Sequence, residues 1–214
     1  MQIPVVLLAL SYMSLGGVQL VLSEEPVEQV VDSDLPEGYG LAQRYVGDVG
    51  LEADSAVIFR DDFEQGDIGQ RWDEVRNDSG TVLSWHRLGA GEKLIGRRCL
   101  KVTADLDANT GGGMTKWFES ADSVYIRFYT KFDDACDYVH HFCTLRANQS
   151  LRGGERWSGF GGAGELPKGE SRFSTAIEPW GNWGRWSPPG RWNFYSYWHE
   201  MQASPDGRYS VSYT

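Results

Sequence analysis

The sequence predicts an all-β protein, a jelly-roll β-sandwich of two antiparallel sheets. Short runs rich in β-branched and aromatic residues recur between turn signals from residue 57 to the end. No segment sustains an amphipathic helical period over the length of a helix, which sets aside a doubly wound α/β fold. Residues 180–198, WGNWGRWSPPGRWNFYSYW, gather eight aromatic residues, five of the chain's nine tryptophans, in nineteen positions. Such density suits a sandwich interior or the stacking of flat rings on ligands.

The chain of 214 residues, 41% hydrophobic and 23% charged, can hold one domain with a substantial core. Residues 3–22 are apolar or small with no Lys or Arg, and the first charge is Glu24. Residues 1–23 therefore read as an export segment, either a signal peptide or an N-terminal membrane anchor. Both place the protein outside the cytoplasm, secreted or in the cell envelope. Residues 24–56 are acidic, aperiodic and broken by Pro and Gly, and read as a disordered acidic linker. From 57 onward the expected strands are AVIFRDDF, TVLSWHRL, CLKVTADL, GMTKWF, SVYIRFYTKF, YVHHFCTLRA, RFSTAIEP, RWNFYSYWHEM and RYSVSYT, giving one domain over 57–214.

The net charge of −10 is uneven. Residues 24–78 hold sixteen acidic against four basic residues, and 79–214 hold fourteen against sixteen. The strand-rich part is thus nearly neutral and tolerates an acidic ligand, while the lack of a basic run or motif excludes nucleic acid. Nothing in the sequence speaks to oligomeric state. Cys99, Cys136 and Cys143 match no zinc spacing; Cys136 and Cys143 either pair or, with Cys99, are buried thiols.

Alternation assigns faces. In 191–201, Trp192, Phe194, Ser196 and Trp198 read as core, and Asn193, Tyr195, Tyr197 and His199 as a site. In 123–132 the polar face is Tyr125, Arg127, Tyr129 and Lys131; in 138–148 it carries His140, Arg146 and Asn148; in 172–178 it carries Arg172 and Glu178. If these four strands are neighbours in one sheet, the polar residues line one concave surface. His140 and His141, being adjacent, would point to opposite faces, with His141 in the core, which disfavours a paired-histidine metal site.

FRDDFE at 59–64, GRRCLKV at 96–102, SVYIRFYTKFDD, WSGFGGAG at 157–164 and GRWNFYSYWHEM together resemble the concanavalin A-like lectin/glucanase superfamily over about 57–214. The cationic, tyrosine-rich face looks more like its polysaccharide-lyase branch than its hydrolases. The laminarinase-type Glu-Ile-Asp signature is absent, as are the alginate lyases' Gln-Ile-His and Tyr-x-Lys-x-Gly-x-Tyr, so no catalytic residue carries over by motif. Domains of this type run on for several strands past the point of GRYSVSYT, so a C-terminally truncated sandwich is expected.

The resemblance implies a polysaccharide as partner, and the residues suggest β-elimination at a uronate. That reaction needs cations or amides on the carboxylate plus a base and an acid. Lys131, His140, Tyr195, Tyr197 and His199 are the candidate catalytic residues. Tyr125, Arg127, Tyr129, Arg146, Arg172, Glu178, Trp180, Trp183 and Asn193 are the candidate substrate-binding residues. A glycoside hydrolase would need two carboxyl groups, for which Glu178 and Glu200 are available. A non-catalytic lectin would stack sugars on Trp180, Trp183 and Trp186. No cofactor or catalytic metal is expected; Asp61, Asp62 and Glu64 are candidates for a structural calcium. Asn77-Asp78-Ser79 and Asn148-Gln149-Ser150 are glycosylation sequons.

Overall fold

The computed structural model describes residues 5–8, 40–89, 96–105, 107–109, 111–149, 156–157, 163–203, 207 and 211–213. Among them are eleven strands and one four-residue α-helix, and the all-β character is plain. The strands are β1 (Val5–Leu8), β2 (Val57–Asp61), β3 (Glu74–Arg76), β4 (Leu83–Arg87), β5 (Arg98–Val102), β6 (Gly113–Thr115), β7 (Tyr125–Arg127), β8 (Cys143–Asn148), β9 (Arg172–Trp180), β10 (Arg191–Tyr197) and β11 (Val211–Tyr213). Each of the nine predicted runs overlaps one of them; β1 and β3 were not anticipated. The chain forms two compact units, Met1–Asp133 and Asp134–Thr214.

In the first unit β1, within the predicted export segment, pairs in parallel with both β2 and β7. No helix among the described residues is long and apolar enough to cross a membrane. Antiparallel pairs β3–β6 and β4–β5 complete the strands. Phe59, Phe63, Trp72, Val82, Leu83 and Leu100 form the core, with Phe59 and Trp72 edge to face at 5.0 Å. Buried Asp61 ties the cluster together by accepting the Phe63 backbone N–H at 2.9 Å and the Trp72 indole N–H at 2.8 Å. Asn77 accepts from the Val82 and Leu83 amides, so the first sequon's side chain is already engaged in a turn.

Part of the predicted linker is folded. Leu41–Arg44 is helical and the turns that follow bury Leu51 completely. Tyr45 donates to Asp54 at 3.0 Å, and Asp48 is buried against Arg127. Apolar Leu51 and the paired charges offset the ordering entropy that acidic composition alone seemed unable to meet.

The second unit is built on one antiparallel sheet in the order β11–β10–β9–β8. Its long strands follow from RFSTAIEPW and RWNFYSY, rich in the side chains that fit a pleated surface. Register places Asn193 opposite Glu178, Tyr195 opposite Ala176, and Tyr197 opposite Ser174. Ala176 in turn faces Thr144, Ser174 faces Arg146, and Arg172 faces Asn148. The polar residues of β8, β9 and β10 therefore do share one face.

Burial reverses the predicted inside and outside of β10. Trp192 and Phe194 are 45% and 52% exposed, whereas Asn193 and Tyr197 are buried. Phe173, on the same face as Phe194, is exposed as well. Alternation fixes which residues go together but not which set is covered, and aromatic content does not decide it.

Candidate functional site

The site is the polar face of β8, β9 and β10. Tyr195 and Tyr197, two apart on β10, stand on the same side of the pleat, and their hydroxyls are hydrogen-bonded at 2.6 Å. The Gly164 backbone N–H donates to the Tyr197 oxygen at 3.0 Å. The Arg172 guanidinium lies 5.5 Å from the Tyr197 ring centre. One strand further, Arg146 is half-buried, and burial pushes its pKa down to about 10. It remains a cation at neutral pH.

Glu178 and Asn193 face each other across the ladder at only 3% and 4% exposure. Glu178 Oε2 and both amide atoms of Asn193 are buried without a hydrogen-bond partner. Buried polar atoms are normally satisfied, so the Asn193 amide, unpartnered at both atoms and in register with a buried carboxylate, marks a place arranged for something other than packing.

His140 and His141 complete this end of the face, and here the predicted geometry fails. They precede β8 in a bend, and His141 has φ of +63°, so strand alternation does not apply. Both rings lie on one side, 3.9 Å between centroids. His141 is exposed rather than in the core; its Nδ1 is 3.4 Å from Glu178 Oε2 and its ring 6.2 Å from that of Tyr195. Partial desolvation and the neighbouring His141 push the His140 pKa down, which favours a neutral imidazole. The sequence contained the adjacent histidines but no sign that the strand begins only at Cys143.

No family model matches the chain, and no curated protein or solved structure matches it either.

The remaining predicted residues are placed elsewhere. β7 is hydrogen-bonded to β1, not to the β8–β10 sheet, so Tyr125, Arg127, Tyr129 and Lys131 are not part of the shared sheet face. Arg127 is held by Asp48 and lies over Tyr129. His199 follows the end of β10 and is exposed, with Nε2 3.5 Å from Glu200 Oε1; it lines a shallow depression with Asn148, Arg172 and Trp198.

The loop after β9 sorts its tryptophans. Trp183, at φ of +55°, is 96% exposed. Trp186 instead has the Arg191 and Arg185 guanidinium groups 3.5 Å and 4.8 Å from its ring, and its carbonyl accepts the Tyr138 hydroxyl. Trp180 ends β9, half-buried. Gly181 is needed here, because a Cβ would meet the Tyr138 ring at 2.4 Å. The glycine-rich segment predicted at 157–164 lies mostly outside the described residues.

The carboxylates considered for calcium are engaged by protein donors. Asp61 holds Phe63 and Trp72, Asp62 pairs with Arg60 at 3.2 Å, and Glu64 accepts both the Arg97 and Arg98 amides. Cys99 and Cys143 are buried thiols, and burial pushes Cys143 up to about 11. Half-buried Cys136 donates to the Asp137 carbonyl at 3.3 Å.

Proposed function

We propose that this chain is an exported jelly-roll protein of the concanavalin A-like type that cleaves a uronate-containing polysaccharide by β-elimination. The observation that carries the reading is the single face on which Arg146, Arg172, Asn193, Tyr195 and Tyr197 converge from three hydrogen-bonded strands, Arg146, Arg172 and Tyr195 being half-buried and Asn193 and Tyr197 buried. Arg146 and Arg172 meet the uronate carboxylate, which stabilises the negative charge that develops as the C5 proton leaves, while Asn193, four residues from Tyr197 along β10, binds the polymer further along the face. The Tyr197 oxygen, already receiving the Gly164 N–H and hydrogen-bonded to the Tyr195 hydroxyl, takes that proton. Tyr195 delivers its own proton to the C4 glycosidic oxygen. The C5–H and C4–O bonds break, a C4–C5 double bond forms, and one proton passing along the Tyr195–Tyr197 hydrogen bond restores the pair.

A hydrolase is less well supported. Among the described strand residues, this face carries one carboxylate, Glu178, while Glu200 lies past the end of β10. Hydrolysis at a sugar requires two carboxyl groups flanking the bond. A second reading, a sugar-binding module without catalysis, draws on exposed Trp183. The test is ultraviolet absorbance of the unsaturated product when the purified chain is incubated with uronate-rich and neutral polysaccharides. Elimination on a uronate-rich member, lost in Tyr197→Phe with the circular dichroism spectrum retained, is the expected result. A folded chain that yields no product on any uronate overturns the reading, and retention of those polysaccharides by Trp183-dependent binding would then establish the module.

A further inference from the structure

We infer that His140, His141 and Glu178 form a binding site for one divalent ion of the zinc class. One ligand atom from each side chain lies within 4.8 Å of the others. The His141 Nδ1 to Glu178 Oε2 separation of 3.4 Å is close to the roughly 3.3 Å that separates two ligands bound at about 2.0–2.1 Å to a tetrahedral ion. The His141–Glu178 pair is therefore at coordinating separation, with a His140 nitrogen within 4.8 Å of both.

Burial supplies the second, independent argument. Glu178 is almost wholly withdrawn from water, and its Oε2 makes no hydrogen bond and is met by His141 Nδ1 at 3.4 Å. A carboxylate in that condition is costly unless it is paired or coordinates a metal. Directly across the ladder, Asn193 brings a buried amide without a partner to the same spot. The histidines approach the carboxylate from the bend before β8, where the conformation of His141 sets both rings on one side.

The donor set chooses among ions. Two imidazoles and one carboxylate suit zinc and its first-row neighbours, whereas calcium and magnesium prefer all-oxygen surroundings. Three protein ligands leave a fourth position open, the arrangement of zinc sites that act on a ligand. Glu178 lies on the face that carries Tyr195 and Arg146, so that position would receive an anion. The ion site itself does not depend on the elimination reading.

The test uses the full chain stripped with a chelator, then titrated with Zn2+ by calorimetry and with Co2+ by visible absorption. One ion per chain is expected, with Co2+ bands of the intensity typical of four or five ligands. His140→Ala and His141→Ala, both at exposed positions, should each weaken binding by at least tenfold, as should Glu178→Gln, while His86→Ala leaves it unchanged. Should Glu178→Gln fail to fold, the two histidine variants decide. No binding, or binding unaltered in both histidine variants, overturns the inference. The two proposals separate cleanly, because ion binding without unsaturated product supports the site and removes the lyase, and chelator-resistant product formation without ion binding does the reverse.

Discussion

Asn193→Leu should make the ion-free protein more stable while impairing its activity. Asn193 lies mid-strand on β10 at 4% exposure with the oxygen and nitrogen of its amide both lacking partners. An unsatisfied buried polar group costs about 1–3 kcal/mol, and replacement by an apolar group of the same shape removes that cost. Leucine has nearly the outline of asparagine, and asparagine is a poor strand residue. With no hydrogen bond to lose, the expected gain is about 1–3 kcal/mol. For a chain of this size each kcal/mol raises Tm by roughly 2–4 °C. Urea unfolding followed by tryptophan fluorescence reads the shift in midpoint, and an unchanged slope establishes that stability and not compactness has moved. Elimination assayed on the same variant should fall, because the residue would be kept for binding at a cost to the fold. A loss of more than about 1 kcal/mol would refute the reasoning, since it would mean that the amide is satisfied in the folded protein.

Leu100→Ala in the first unit should cost about 2–5 kcal/mol, as it empties a fully buried position; Trp192→Ala, half-exposed on the sheet of the second unit, should cost less than Leu100→Ala in the same denaturant series despite removing more atoms. The Glu64 carboxyl is lowered from its ordinary 4.5: burial opposes this, but hydrogen bonds from the Arg98 and Arg97 amides and the Arg97 side chain outweigh it. Its contribution is present above pH 4.5 and lost as pH falls through the depressed folded value, so Glu64→Gln should lower stability at neutral pH by about 1–3 kcal/mol and flatten the acid limb of a stability profile measured by chemical denaturation. In the native protein an alkylating reagent should modify Cys136 first, with Cys99 and Cys143 reacting only in denaturant; rapid native labelling of Cys143, detected by peptide mass, would contradict its burial.

The fold was legible where composition and alternation agree. RFSTAIEP and RWNFYSYW announced β9 and β10, and their polar sets do meet on one face. What alternation could not supply was which side of the sheet is covered, because that is a property of what packs on it and not of the strand. Trp192 and Asn193 differ in the opposite sense from their hydropathies for this reason. The 123–132 run was recognisable as a strand, but its partner β1 lay in a segment read for export, so its membership of another sheet was invisible. His140 and His141 were misassigned by a different route. Period two holds only in extended backbone, and one left-handed residue at His141 cancels it. The meeting of buried Glu178 with the unpartnered Asn193 amide, which enters both the binding inference and the stability prediction, arises from cross-strand register, and no local pattern encodes it.

β10 carries its two roles by parity. Asn193, Tyr195 and Tyr197 occupy odd positions, and Trp192, Phe194 and Ser196 even ones, so the chemistry and the aromatic surface are interleaved with no residue belonging to both. A single-residue insertion in the turn at Gly190, which leaves composition and hydropathy almost unaltered, would slip the strand by one and exchange the two sets wholesale. The tight contact there, where a Cβ on Gly190 would meet the Trp180 backbone at 2.4 Å, therefore acts as the phase reference of the strand. Length in that turn is under stricter control than identity at most positions along β10.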